Sequence, residues 1–240
     1  LAHVTLVVCW FGSDLRAGIC QIAPRVEASV KDTSPQTWSV AGMGRGATAT
    51  PSLSYGRIAY GGTPSDASVL EAIAELKRRG LSIGITPFLL MDIPAGNTLP
   101  SADGSVSQPP YPWRGRISGN TPSADRTAAA ATQIASFFGT AAAAHFTVSG
   151  TTITYSGPTE ATWRRCVLHY AALAKAAGGV DQFLIGSEFI GLTRLRDATG
   201  AFPATAQLQS LAAQARILLG PTTKLSYAAD WTEYGGFVPP

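Results

Sequence analysis

The chain is poor in cysteine, histidine and charge, and each shortage closes off a class of function. Its 240 residues include three cysteines, Cys9, Cys20 and Cys166, and three histidines, His3, His145 and His169. Three cysteines cannot all pair within the chain, and none lies at zinc-ligand spacing from a second cysteine or a histidine. No metal and no cofactor are therefore expected. Cys9 falls in an apolar run and Cys166 on an apolar helical face, which reads as buried free thiols. Charged residues make up 14% of the chain, the formal charge is +3, and Lys and Arg are dispersed. Without basic clusters interleaved with aromatics, nucleic acid is not an expected partner. No run reaches the roughly 20 apolar residues of a membrane span, and no basic region precedes the short apolar stretch after Leu1, so a soluble chain or excised domain is expected. Neither Ser13 nor Ser187 sits in a G-x-S-x-G elbow, and no histidine stands beside a serine or cysteine. Nucleophile-elbow hydrolysis drops out.

What remains is 45% hydrophobic, enough to bury a large core in one domain spanning residues 1–240. Residues 4–11 (VTLVVCWF) form an apolar, β-branched run suited to a strand buried on both faces. Residues 57–60 read as a second strand. Gly61-Gly62-Thr63-Pro64 then turns into a helix that Thr63 can cap, with Val69, Leu70, Ile73 and Leu76 on one stripe and Gly80 as its stop. Residues 81–91 (LSIGITPFLLM) make a third strand, so 57–91 read as a strand, helix, strand crossover.

A Pro-, Gly- and Ser-rich segment, 92–120, is too long for a plain connector, and it reads as a site-forming loop or an interaction surface. Thr121-Pro122-Ser123 repeats the capping pattern before an alanine-rich helix running to about residue 143. Alternation around Ser149-Gly150 predicts an inserted β-hairpin near 145–156. A further helix from about Pro158, a strand at 182–185, a helix over 207–219 and a strand at 224–229 follow. Residues 13–56 show no helical stripe, and Gly42-Met43-Gly44-Arg45-Gly46 lacks the setting and lysine of a P-loop, leaving a flexible turn. The pattern predicts an α/β fold, a (β/α) TIM-barrel-like one with about five strands of a full eight, incomplete in this chain.

In such a fold, reactive side chains lie beyond the carboxyl ends of the parallel strands. That places Trp10, Asp14 and Arg16 after the first strand, Tyr60 after the second, Asp92 after the third, Glu188 after the fourth, and Asp230 and Glu233 after the fifth. Two facing carboxylates are what glycosidic cleavage needs, one as acid and one as nucleophile or base. Glu188, Asp230 and Glu233 are the catalytic candidates. Trp10, Tyr60, Trp113, Trp231 and Tyr234 offer flat apolar faces for sugar rings, and Asp14, Arg16, Asp92 and Arg114 complete the candidate binding set. The plain alternative is that Glu188 caps a helix or pairs with Arg194, and that the aromatics are core.

Five motifs carry a resemblance: Trp10-Phe11-Gly12-Ser13-Asp14-Leu15-Arg16, Tyr60-Gly61-Gly62-Thr63-Pro64-Ser65-Asp66-Ala67, Tyr111-Pro112-Trp113-Arg114-Gly115-Arg116-Ile117, Ile185-Gly186-Ser187-Glu188 and Tyr227-Ala228-Ala229-Asp230-Trp231-Thr232-Glu233-Tyr234. Together they resemble the TIM-barrel-like domain of the large tail-tip protein of gene transfer agents and related siphophages of alphaproteobacteria. The resemblance implies a glycoside-hydrolase-like barrel within a longer baseplate hub chain. Its implied place is the tail tip of a virion-like particle, made in the bacterial cytoplasm and acting at the recipient surface. Its implied partners are other tail and baseplate proteins and a cell-envelope glycan or receptor. In retaining enzymes of this barrel the acid/base glutamate follows the fourth strand and the nucleophile the seventh. Here Ser187 replaces the usual asparagine before that acid, and no seventh strand is read. The leading expectation is envelope recognition; the alternative is an active glycoside hydrolase with Glu188 as general acid/base, partnered by Asp230, Glu233 or a residue beyond Pro240.

Overall fold

The computed structural model describes residues 2–233. In chain order the strands and helices are β1 (His3–Gly12), β2 (Ile22–Ala23), β3 (Ser39–Val40), β4 (Met43–Gly44), β5 (Leu53–Ser54), β6 (Arg57–Ile58), α1 (Asp66–Arg78), β7 (Ser82–Met91) and α2 (Ala128–Phe138). Then come β8 (Phe146–Ser149), β9 (Thr152–Tyr155), α3 (Trp163–Ala176), β10 (Gln182–Ser187), α4 (Ile190–Thr193), α5 (Pro203–Leu219) and β11 (Lys224–Ala228). The main sheet runs β11-β10-β7-β1-β2. Its first four strands are mutually parallel, and β2 adds two antiparallel residues opposite Phe11 and Gly12. Helices lie in the connections between those parallel strands, giving an α/β fold, and the hairpin expected near 145–156 is β8–β9.

One expected strand is not part of this sheet. The second barrel strand expected over residues 57–60 does not form: Arg57 and Ile58 make a two-residue hairpin arm paired with Leu53 and Ser54, and both are exposed. The cause is local. Tyr55 and Gly56 both have positive φ, 51° and 76°, the signature of a two-residue hairpin turn that folds the chain back before it can enter a sheet. The crossover into β7 therefore starts from β1, which pairs with β7 from His3 opposite Ser82 to Gly12 opposite Met91. Glu188 accordingly closes the third parallel strand of the sheet rather than the fourth.

Helix starts also differ in detail from the sequence reading. Ser65, not Thr63, caps α1, its hydroxyl accepting from the Ser68 amide at 3.1 Å. Thr63 is buried and instead donates to the Cys9 carbonyl at 2.8 Å, tying the helix entry to β1. Helix α2 begins at Ala128, after a short turn over Pro122–Ala124, and ends at Phe138. Residues 13–56 are irregular apart from β2, the β3–β4 hairpin, a short turn over Arg45–Ala47 and the first arm of the β5–β6 hairpin, in line with their missing stripe.

The core centres on α3, which is buried on every side from Trp163 to Ala174. A helix so placed must bury its polar side chains too. Arg165 solves this by lying 3.9 Å over the Tyr155 ring and 5.2 Å from Phe146, so the β8–β9 hairpin acts as an aromatic cover for a buried cation. His169, 1% exposed, meets the Asp66 carboxylate of α1 at 2.8 Å. All three cysteines are free, and burial pushes the Cys9 thiol up to about 11 and Cys20 to about 12, leaving both as inert packing groups at neutral pH. Among the described residues no helix is long and apolar enough to cross a membrane.

Candidate functional site

Because β1, β7, β10 and β11 are parallel, their carboxyl ends and the segments that follow them lie at one end of the sheet. Asp14, Asp92, Glu188 and Asp230 all follow those ends. The end nearest β10 is organised around Glu188. Its φ is +52°, a left-handed conformation that costs a non-glycine residue roughly 1 kcal/mol or more and persists when its surroundings fix it. Here they do: the Glu188 amide donates to the Ala228 carbonyl at 2.8 Å, and the Phe189 amide donates to the Tyr227 hydroxyl at 2.7 Å. The Arg114 guanidinium donates to the Ser187 carbonyl at 2.9 Å, the Ser187 hydroxyl at 3.0 Å and Glu188 Oε2 at 2.5 Å.

Arg114 comes from the 92–120 loop and its guanidinium carbon sits over Phe88 of β7, 3.8 Å from the ring centre. Burial lowers its pKa, and the nearby Glu188 carboxylate works in the opposite direction. The Trp113 indole also donates to Glu188 Oε2, at 2.8 Å. One carboxylate oxygen thus meets two donors, while Oε1 has no partner among the described residues and faces a rim where Glu188 is 35% and Trp113 42% exposed. Two glycines permit this packing. A Cβ on Gly115 would sit 2.4 Å from the Trp113 ring, and one on Gly191 of α4 would sit 2.3 Å from the Ile117 carbonyl.

The other candidates are engaged differently. Trp10, expected as a sugar platform, is 2% exposed and packs 6.1 Å from the His169 ring, because its alternation along β1 turns it toward α3. Asp14 and Arg16, expected to line a binding face, bind each other in a bidentate pair at 2.7 and 3.0 Å. The Arg16 amide also donates to Asp14 at 2.8 Å, and Gln108 adds a fourth donor at 2.7 Å while accepting from the Leu15 amide at 2.8 Å, so this pair anchors the long loop to the end of β1. Asp92 is likewise buried, accepting from the Ser52 amide and hydroxyl at 3.0 and 2.6 Å with Arg25 at 3.5 Å. Tyr60 donates to the Met91 carbonyl at 3.2 Å and packs against Phe11 and Tyr111.

After β11, Asp230 accepts from the Thr232 amide at 2.9 Å and from the Thr232 hydroxyl. Glu233 accepts from the Thr193 hydroxyl and the Asp230 amide, both at 2.7 Å, and lies 3.2 Å from the Tyr227 hydroxyl. Burial, with Glu233 beside it, raises the Tyr227 phenol well above its ordinary value. Trp231 is 81% exposed, and Tyr234 lies outside the described residues. Sequence reasoning missed Phe88, Gln108 and Tyr227 as supports. Tyr227 was visible inside a quoted motif, whereas nothing in the local pattern marks Phe88 or Gln108.

The Asp14 anchor carries a pH prediction. Burial alone would raise its carboxyl, but hydrogen bonds from Arg16 and Gln108 outweigh it and hold the group below the ordinary 3.8. A carboxylate with a depressed folded value contributes stability above its unfolded value and loses it as pH falls through the folded one. Melting temperature is therefore expected to fall as pH drops below about 4, and Asp14→Asn to flatten that part of the profile while lowering stability at pH 7 by about 2 kcal/mol. An unchanged acid limb in the variant would remove Asp14 from this role.

Residues 161–240, 80 of the 240, match the profile of the GTA TIM-barrel-like domain. Among solved structures, a GH113 beta-1,4-mannanase is similar with TM-score 0.45 and 12% identity, over 97% of this chain and 46% of that one. A complex structure of GH113 beta-1,4-mannanase is similar with TM-score 0.41 and 13% identity, over the same shares. The chain therefore spans about half the length of these proteins. No curated protein matches the sequence. The chain is an α/β protein with a parallel sheet, and its residues 161–240 match a TIM-barrel-like domain.

Proposed function

We infer that the chain is a glycan-binding domain of the tail tip of a phage-like gene transfer particle. It holds an envelope polysaccharide of the recipient cell without cleaving it, alongside other tail and baseplate proteins. The match over residues 161–240 and the five motifs support the family setting. The observation that carries the binding reading is the state of the carboxylates. Asp14, Asp92, Glu188, Asp230 and Glu233 each already accept hydrogen bonds from neighbours. A glycosidase needs one carboxyl to deliver a proton and a second to attack or activate water. Glu188 Oε2 meets two donors and acts as an acceptor, and Glu188 follows the third parallel strand instead of the fourth, where the resemblance would put an acid/base. Fixed acceptors beside an exposed indole suit a sugar held by its hydroxyls and one apolar face.

The rival reading, hydrolysis with Glu188 as acid/base, draws support from the strained Glu188 backbone, since such strain clusters at active sites. One assay separates the two. Purified protein is incubated with peptidoglycan and with envelope polysaccharide from recipient cells, and both retention and reducing ends are measured. Retention without new reducing ends is expected, with Trp113→Ala reducing retention at least tenfold, about 1.4 kcal/mol. Reducing ends released by the native chain and not by Glu188→Gln would establish the rival.

A further inference from the structure

The turn Arg114–Arg116 buries one of its two arginines and exposes the other. Arg114 goes inward to Phe88 and Glu188, while Arg116 is exposed and lines a cleft of about 470 Å³ between the 101–122 segment and α4. That volume falls in the roughly 300–1,000 Å³ range of small-molecule sites. Gly115 connects the two places: it lines the cleft and lies directly beneath the Trp113 ring. Leu15, Pro109 and Leu195 give the cleft apolar walls, and Ser118 and Thr121 add hydroxyls.

The charges around the cleft are unequal in their availability. Asp103, the acid in its wall, accepts from the Ser105 amide at 2.9 Å, and nearby Asp125 is paired with Arg196. Arg116 has no carboxylate partner among the described residues. The Asp125 charge is neutralised by its pair, Asp103 is held by its hydrogen bond and keeps its charge, and Arg116 is the cation of the wall left without an ion pair. An exposed guanidinium beside a partly apolar cleft is suited to a carboxylate or phosphate group on a ligand.

We propose that this cleft is the anion subsite of the glycan site, so that the bound polysaccharide is an acidic one, its ring against Trp113 and its anionic substituent on Arg116. This rests on the glycan-binding reading and narrows it to a substrate class. The test uses the purified chain with four probes measured by calorimetry: oligogalacturonate, its methyl ester, phosphorylated oligomannose and neutral oligomannose. The acid or the phosphate is expected to bind about tenfold more tightly than its neutral counterpart, with the difference shrinking as salt rises. Which anion gains identifies the substituent. Arg116→Gln is expected to remove that gain and leave neutral binding unchanged, and Arg116→Lys to restore part of it. Because Arg116 is exposed, neither variant should disturb folding, which melting curves would verify. Equal binding of charged and neutral probes, or a gain that survives Arg116→Gln, overturns the anion subsite while leaving glycan binding standing. Failure of all four probes overturns both.

Discussion

Replacing Trp163 by alanine is expected to lower stability by about 4 kcal/mol, the scale of emptying a large aromatic site in a packed core. Trp163 is 1% exposed at the start of α3. Its ring meets Phe189 edge-on at 5.2 Å, and its indole donates to the Ile185 carbonyl at 2.9 Å. Those two contacts fall on either side of Glu188, so the loss reaches the site as well as the core. For a domain of this size the change corresponds to a melting temperature lower by roughly 10 °C. Trp163→Phe separates the causes: most of the volume remains, but a buried carbonyl loses its donor, for about 1 to 2 kcal/mol. Denaturant unfolding at constant slope measures both. A loss below about 1 kcal/mol for Trp163→Ala would mean that α3 does not support the rim as described.

The second large effect is expected at Arg114. Its guanidinium serves the Ser187 carbonyl and hydroxyl and the Glu188 carboxylate, and it rests on Phe88. Removing one partner of a buried pair costs about 3 to 5 kcal/mol, and exposure of the Glu188 side chain at 35% reduces this to about 2 to 3. Arg114→Lys should recover little, because an ammonium cannot span three acceptors in a planar fork. The informative measurement is a double-mutant cycle with Glu188→Gln, where a coupling of about 1 to 2 kcal/mol is expected. Additive losses would show that Arg114 stabilises the 92–120 loop independently of Glu188. In binding assays Arg114→Ala should weaken glycan retention alongside stability, whereas Arg116→Gln should affect retention of acidic probes alone.

Much of the fold was legible because its signals are local. The unbroken apolar runs at 4–11 and 81–91 became β1 and β7, and the stripe at Val69 and Ile73 became the buried face of α1. The alternation around Ser149-Gly150 became β8–β9. Residues 57–58 misled for a related reason. A short apolar patch has the same composition in a sheet strand as in a hairpin arm, and here two positive-φ residues at 55 and 56 decided for the hairpin.

The sequence by itself determined the α/β alternation, the parallel sheet, the irregular 92–120 loop and the delivery of Glu188 at a strand end, since each depends on periodicity or on residues adjacent in the chain. Tertiary structure alone decided what those residues do. Arg114 reaches Glu188 from 74 positions away and Gln108 reaches Asp14 from 94. Trp10 turns into the core, while Trp113 stays on the surface. Hydrogen bonds and burial depend on distance in space, and no short-range pattern encodes which distant loop will close over a strand end.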